Sequence, residues 1–515
     1  MSLLPFLAVT VVGAIAAVAL RRRRQAGTLV GLAAVAASLV TLLVAEPGEP
    51  LLVAGGAVAL TDYARILLGI ALAGGLVVLI VSRLTAWEAP GPSALLVAAA
   101  GVGLALGVAG ATAGLLAAGT AAVLTSAVAL AHPATPSRAR ALARELRGAT
   151  VATTVGLIAV GLAPEAIGGL AVQPQVAGLA AVAAGVALGQ RFGAVPLHAR
   201  VARLTDVAPA SALPVLLALL PAGWVVVLLG WAPDTLGRAA PALGWDGTLL
   251  VLMGLTTLVL GTFAALIQDD LLRIVAYTVV LDAGVVVLGY SSLDPIGREA
   301  LRAWLVVFVA SRTALVGWTI AFRAAFGTTR LSEARGWLRR APALGVALAG
   351  IGLATVGWPG VLVWDARVAA LHAATTGPTF LLASLASLGA AVAIARIIGT
   401  GFGRPEPRVA AAAGELARVP AGLRAATRAL RRPEGRRAAT LRAAMRETRP
   451  LLEMNRTPLR ALLVVILAGL ALMSAVGAFG IREAAAAPDI AIPVPAERTP
   501  DLPPMATPSP EPEAP

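Results

Sequence analysis

Long stretches of this chain carry almost no charge, and that constrains its fold more than any other feature. Apolar runs of about 18 residues or more recur along most of its length. The arginines collect in the gaps between those runs. Hydrophobic residues make up 58% of the chain and charged residues 13%, with a mean hydropathy of +0.86. A soluble globular domain is not built this way. In lipid the backbone must satisfy its own hydrogen bonds, and runs of this length do so as helices. The chain therefore reads as an all-α integral membrane protein, and each ionisable group inside a span needs a reason to be there.

Every one of the 41 basic residues is Arg. That matters for chemistry, because an Arg keeps its charge where a Lys can be tuned to release a proton. The net charge of +14 flanks the spans in the positive-inside pattern, so no nucleic-acid partner is expected. With no Cys, disulfides, thiolate-bound clusters and haem attached through Cys are excluded. His132, His198 and His372 are too scattered for a metal site. No cofactor is expected.

The apolar runs predict about fourteen spans, near 3–20, 27–45, 66–83, 93–109, 111–131, 148–164, 175–197, 208–231, 247–267, 274–290, 299–325, 342–376, 379–399 and 461–480. The first run is followed, not preceded, by Arg21 to Arg24, which marks a retained span rather than a cleaved signal. The segments 132–147, 326–341 and 400–460 are Arg-rich, whereas 46–65, 165–174, 232–246 and 291–298 hold at most one Arg each. That asymmetry places both termini on the non-cytoplasmic side of a bacterial plasma membrane. Residues 404–460 hold Leu416, Val419, Leu423 and Leu430 at near-helical spacing. They read as surface helices contacting anionic lipid or a partner subunit; the other reading is a basic linker broken by Pro405, Pro420, Pro433 and Pro450. Residues 482–515 read as a disordered, Pro-rich tail.

Three segments place charge or a helix breaker at membrane depth. In Gln190-Arg191-Phe192-Gly193-Ala194-Val195-Pro196-Leu197-His198, Gly193 and Pro196 predict a broken helix whose freed backbone could line a cavity. Alternatively, Arg191 and His198 mark the end of a span, with Arg191 reaching to the headgroups. Asp282 lies two turns into the run that follows Gln268-Asp269-Asp270-Leu271-Leu272-Arg273, which reads as a short cytoplasmic turn. A buried Asp at that depth either exchanges a proton or holds a neighbouring helix. In Gly357-Trp358-Pro359-Gly360-Val361-Leu362-Val363-Trp364-Asp365-Ala366-Arg367, Gly357, Pro359 and Gly360 break a long apolar segment. Asp365 and Arg367 follow, either at a cavity or as a charge pair near the outer interface. The two breaks fall five spans apart, as an inverted repeat of five helices requires. The organisation expected is three helices over 1–92, repeats over 93–231 and 232–399, a basic insertion over 400–460, a last span over 461–481, and the tail.

These motifs resemble the antiporter-like membrane subunits of respiratory NADH-quinone oxidoreductase and of Mrp-type antiporters, most nearly subunit N. The family's F-K-x-x-x-x-P-F-H in the seventh span is matched by Arg191, Pro196 and His198. Its Q-x-N-x-K-R-x-x-A-Y-S-S-I-x-H-x-G is matched by Gln268, Arg273, Ala276, Tyr277 and Gly284, with Asp282 where the His stands. Its G-I-P-P-x-x-G-F-x-x-K runs here as Gly357-Trp358-Pro359-Gly360 to Trp364 and Arg367, and R-G-L-x-R-x-P recurs over Arg335 to Pro342. The resemblance implies a non-redox subunit of a complex-I-like assembly, with other membrane subunits and the bilayer as partners. It also implies a proton path through Arg191, His198, Asp282, Asp365 and Arg367. The departures are specific: no carboxylate lies in Gly119 to Ala122 of the fifth span, and Ala222 stands at the eighth-span Lys. The alternatives are a subunit that holds its neighbours without pumping, and a component of a cation/proton antiporter or another membrane complex.

Overall fold

The computed structural model describes residues 3–47, 51–53, 56–85, 91–131, 135–167, 173–237, 244–404 and 458–487. It is nearly all helix. Eleven helices are long and apolar enough to cross a membrane by length and composition, and two shorter apolar ones, Pro92–Gly107 and Pro342–Val356, stand beside them. By that measure the expected fourteen is not reached among the described residues. The shortfall has local causes: the twelfth region is split by its Gly-Pro break, and the seventh carries polar Gln190 and Arg191 in its last turn.

Leu4–Ala19 (α1), Arg24–Val44 (α2), Asp62–Arg83 (α3), Pro92–Gly107 (α4) and Ala111–Leu130 (α5) form the first part of the bundle. Thr61 caps α3 by accepting from the Ala64 amide at 3.1 Å, with Asp62 in the first turn, where a negative charge meets the helix dipole. Between α2 and α3 the chain is not purely helical. Leu51–Val53 (β1) pairs antiparallel with Gly56–Val58 (β2), and Val58 bridges to Val108 beyond α4.

Pro136–Ile167 (α6) corrects one boundary. The Arg-rich stretch 132–147 is helix from Pro136 onward, because Ala, Leu, Arg and Glu favour helix and Pro suits its first turn. Pro174–Phe192 (α7) is followed by the short Ala199–Val207 (α8). A π-helical stretch, Val215–Leu219, then leads into Leu220–Leu229 (α9) and Ala232–Leu236 (α10).

Trp245–Ile267 (α11) and Leu271–Ser291 (α12) pack unusually closely. A Cβ on Gly261 would lie 2.5 Å from the Leu281 amide nitrogen, and one on Gly284 would lie 2.6 Å from that of Leu258. Small residues at these positions let two backbones approach, which is how helices associate in lipid. Pro295–Phe326 (α13) starts on an Asp294 cap and ends at Gly327 with φ +70°. Its 32 residues reach roughly 48 Å at 1.5 Å per residue, and its apolar part is wholly buried. It is the central post of the bundle.

Pro342–Val356 (α14) and Leu362–Ala374 (α15) are the halves of the broken twelfth region. Gly377–Ser387 (α16), Gly389–Gly401 (α17) and Pro458–Ala475 (α18) complete the helices long enough to matter for the core. The proposed surface helices of 404–460 fall at 405–457, outside the described residues. So does the tail from 488 onward. Its first residues are not disordered: Ile481–Ala486 (α19) is a short helix with Ile481, Ala484 and Ala485 buried. It is anchored by the Arg302 guanidinium donating to the Ala487 carbonyl at 3.1 Å. The apolar side of Ile481-Arg482-Glu483-Ala484-Ala485 outweighs a composition that reads as tail.

Candidate functional site

Among the described residues, buried charge is confined to a few places in this apolar bundle; besides Arg302 and Arg460, which donate to backbone carbonyls, it lies in two groups. The first is built from α6, α7 and α8. Glu145 of α6 accepts from Arg200 Nε at 2.9 Å, and both side chains are almost wholly buried. Arg200 also donates from Nη1 to the Arg191 carbonyl at 2.7 Å. It can reach that oxygen because α7 stops there. Gly193 has φ +94°, a conformation that side chains with a Cβ rarely adopt, and a Cβ at Gly193 would sit 2.2 Å from the Val201 side chain. Val195–Pro196 is a cis peptide, and the Val195 amide donates to Thr257 Oγ1 on α11 at 3.0 Å.

Arg191 itself is 1% exposed and its Nε has no hydrogen-bond partner among the described residues. It is buried rather than reaching toward headgroups. His198 immediately precedes α8 without making a side-chain cap, and its Nδ1 too has no partner among the described residues. The break means that Arg191 and His198 do not share a helix face.

The second group lies where α12, α13 and α15 meet. Asp282 is 3% exposed and Arg312 2%. Arg312 donates to the same carboxylate oxygen, Oδ2, from Nε at 2.6 Å and from Nη2 at 2.5 Å, the short geometry of a charge-assisted pair. Arg312 Nη1 has no partner among the described residues. Arg367 on α15 is buried too. It acts on Asp282 through space, the two being within Coulombic reach, while its guanidinium lies 5.1 Å from the Trp364 ring centre. One carboxylate is thus bonded to one guanidinium, with a second guanidinium buried on the adjoining helix α15. Arg312 is a member of this group that the sequence reading missed, although an Arg in the middle of the apolar run 299–325 was itself a signal.

Asp365 does not join this group. It pairs with Arg482 of α19 at 3.3 Å, where Arg482 is exposed and Asp365 half-buried. Gly357, with φ +69°, and Gly360, with φ +91°, hold the turn between α14 and α15, and Pro359 lies in that turn. The Gln268–Asp270 segment is more than a turn. Asp270 caps α12 through the Leu272 and Arg273 amides and accepts a very short hydrogen bond from Thr329. Asp269 accepts from the Ser332 hydroxyl at 2.6 Å, and Arg396 donates to the Leu266 and Gln268 carbonyls.

Between the two groups stand aromatic rings. Phe192, adjacent to Arg191, packs on Phe308 with centroids 4.9 Å apart, and the Arg312 guanidinium lies 6.0 Å from the Phe308 centre. In the eighth region the position of interest is apolar, although the buried indole N–H of Trp224 lies two residues on. Ala222 is wholly buried, with Leu219, Leu220 and Val225 around it in sequence equally inaccessible. In the fifth region Gly119 packs against Thr153 of α6 so closely that a Cβ there would clash.

Comparison with known proteins accords with this geometry. Residues 175–393 match the family model described as NADH:quinone oxidoreductase/Mrp antiporter, TM. That match spans α7 to α17 and includes both helix breaks and the Asp282 group. A curated relative named NADH-quinone oxidoreductase subunit N, from Chlorobium chlorochromatii, is 26% identical over 33% of this chain and 34% of its own length. The chain thus matches about a third of that relative's length. A chain of respiratory complex I from Thermus thermophilus superposes with a TM-score of 0.63 at 21% identity, covering 91% of this chain and 97% of that one. A chain of the Mrp complex from Dietzia sp. DQ12-45-1b gives 0.69 at 18% identity, covering 95% and 52%. The antiporter-like resemblance read from the motifs holds, and the fold is that of a multi-pass, nearly all-helical membrane protein.

Proposed function

We propose that this chain is a non-redox membrane subunit of a complex-I-like NADH–quinone oxidoreductase, derived from a proton-translocating ancestor, that holds its neighbours together without conducting protons itself. The observation that carries this reading is the fixed pairing of Asp282 with Arg312. A carboxylate bound by an Arg cannot obtain a proton from its partner, since a guanidinium does not readily release one. The apolar surroundings of Ala222 and the Phe192–Phe308 contact support the same reading, because a proton line needs polar groups or water along its length. Arg191, His198 and Arg367 are then remnants of that line with structural roles. Residues 93–231 and 232–399 are the two five-helix repeats, and the Arg distribution orients both termini away from the cytoplasm of a bacterial plasma membrane. Other membrane subunits and the bilayer are its partners.

A second reading keeps conduction through the second repeat alone, favoured by a buried Arg367 that has no carboxylate bonded to it among the described residues. Proton stoichiometry per electron in membrane vesicles separates the two. The double substitution Asp282→Leu with Arg312→Leu removes the charges together and keeps the site apolar. Unchanged stoichiometry at normal NADH–quinone turnover supports the holding role. A fall in protons per electron supports conduction and overturns the proposal.

A further inference from the structure

We propose that the cavity between α6 and α8 binds a phosphate group, supplied by an anionic phospholipid headgroup or by a free phosphate compound. The cavity holds about 540 Å³, within the roughly 300–1,000 Å³ of ligand pockets. Arg140 and Arg144 of α6, Arg200 and Arg203 of α8, and Gln190 of α7 line it. Its two acids are already engaged. Glu145 is held by Arg200 at 2.9 Å, and Asp206 is held by Arg273 on α12 at 3.3 Å. Arg140 donates from Nε to the Pro136 carbonyl of its own helix. Arg144 and Arg203 are left with no acceptor among the described residues, and they stand on different helices facing one space.

Planar guanidiniums that converge from two elements match phosphate oxygens in geometry and charge. The cavity lies at the Arg-rich end of the spans, the side where anionic lipid headgroups concentrate. Its rim includes Leu197, 36% exposed, an apolar edge against which the start of an acyl chain would rest. Arg200 ties the cavity to the interior through the Arg191 carbonyl.

The test uses the purified full chain in a non-ionic detergent, with thermal unfolding as the readout. Three probes are titrated: dihexanoyl phosphatidylglycerol, dihexanoyl phosphatidylcholine and inorganic phosphate. The expected result is a saturable rise in Tm with phosphatidylglycerol. The Arg144→Gln/Arg203→Gln variant should weaken that apparent affinity at least tenfold, and Arg21→Gln/Arg22→Gln, at another Arg-rich segment, should not. Both cavity side chains are exposed, so the variant keeps its fold. A rise with phosphatidylglycerol alone assigns the site to lipid; an equal rise with inorganic phosphate assigns it to free phosphate compounds. The proposal is overturned if phosphatidylcholine stabilises as well as phosphatidylglycerol, if no anionic probe raises Tm, or if the cavity variant responds as the wild type does.

Discussion

Substitution of Asp282 by Asn tests the buried pair directly, and the structure sets both its size and its asymmetry. Asp282 and Arg312 are each at most 3% exposed. The carboxamide introduced by Asp282→Asn could still accept one of the two bonds that Oδ2 now receives, but the negative charge would be gone. Arg312 and Arg367 would then be two buried guanidiniums with no anion between them. Removing one partner of a buried pair costs about 3–5 kcal/mol, and the second cation places Asp282→Asn toward the upper end. Arg312→Leu should cost less. It leaves Asp282 facing Arg367, so a counter-charge remains within Coulombic reach. The double Leu variant should lie nearer the wild type than Asp282→Asn, because an apolar pair in an apolar site leaves one unmatched guanidinium rather than two. Unfolding of the purified chain by dodecyl sulfate in mixed micelles, followed by the fluorescence of its nine Trp residues, measures all three. Ordinary polar contacts between membrane helices average about 0.6 kcal/mol. A loss under about 1 kcal/mol for Asp282→Asn, or a greater loss for Arg312→Leu, would refute the reasoning.

Two further outcomes follow from the packing. Gly284→Val should separate α11 from α12, since its Cβ would already meet Leu258 at 2.6 Å; overpacking of this kind costs about 1–3 kcal/mol, read in the same unfolding assay, with Gly161→Val, where the space is open, as the control that should change little. Asp365→Asn removes only a largely exposed pair with Arg482; its effect on stability should stay within about 1 kcal/mol and shrink further in high salt, and a larger loss would mean that Asp365 belongs with the buried charges.

The helix breaks could be read from the sequence because their causes are local. Gly193 needs a positive φ, and Gly357 and Gly360 do as well, so the punctuation is written at the residues that use it. Membrane character is equally local, since it is a matter of run length and hydropathy. The ion pairs are not local. Asp282 finds Arg312 across 30 residues, Glu145 finds Arg200 across 55, and Asp365 finds Arg482 across 117. No periodicity carries such information. Asp365 and Arg367 show how sequence proximity misleads: two residues apart on a helix they face different neighbours, one toward α19 and solvent, the other into the core. The short helix 481–486 was missed for a related reason, because its apolar side and the Arg302 bond both act through distant partners, α13 among them.

The departures from the family pattern are consistent with one another when taken as charge accounting. A Lys in an apolar interior can exist neutral, so a line of Lys and His needs no permanent counter-ion. An Arg cannot take that course. Once Arg191 and Arg367 stand where the pattern has Lys, the interior carries fixed positive charge, and a fixed negative charge becomes necessary to hold it. Asp282, in place of the His, supplies one negative charge in the second group and Glu145 one in the first, each bonded to a further arginine, Arg312 and Arg200, so that each group sets one acid among its buried guanidiniums. Each acid also sits where three helices meet: α12, α13 and α15 around Asp282, α6, α7 and α8 around Glu145. A pair of fixed charges in an apolar bundle fixes the register of the helices that bear it, since sliding either helix by one turn would bury both charges alone. The two ion pairs therefore act as two fixed points in the bundle, as the holding role proposed above requires.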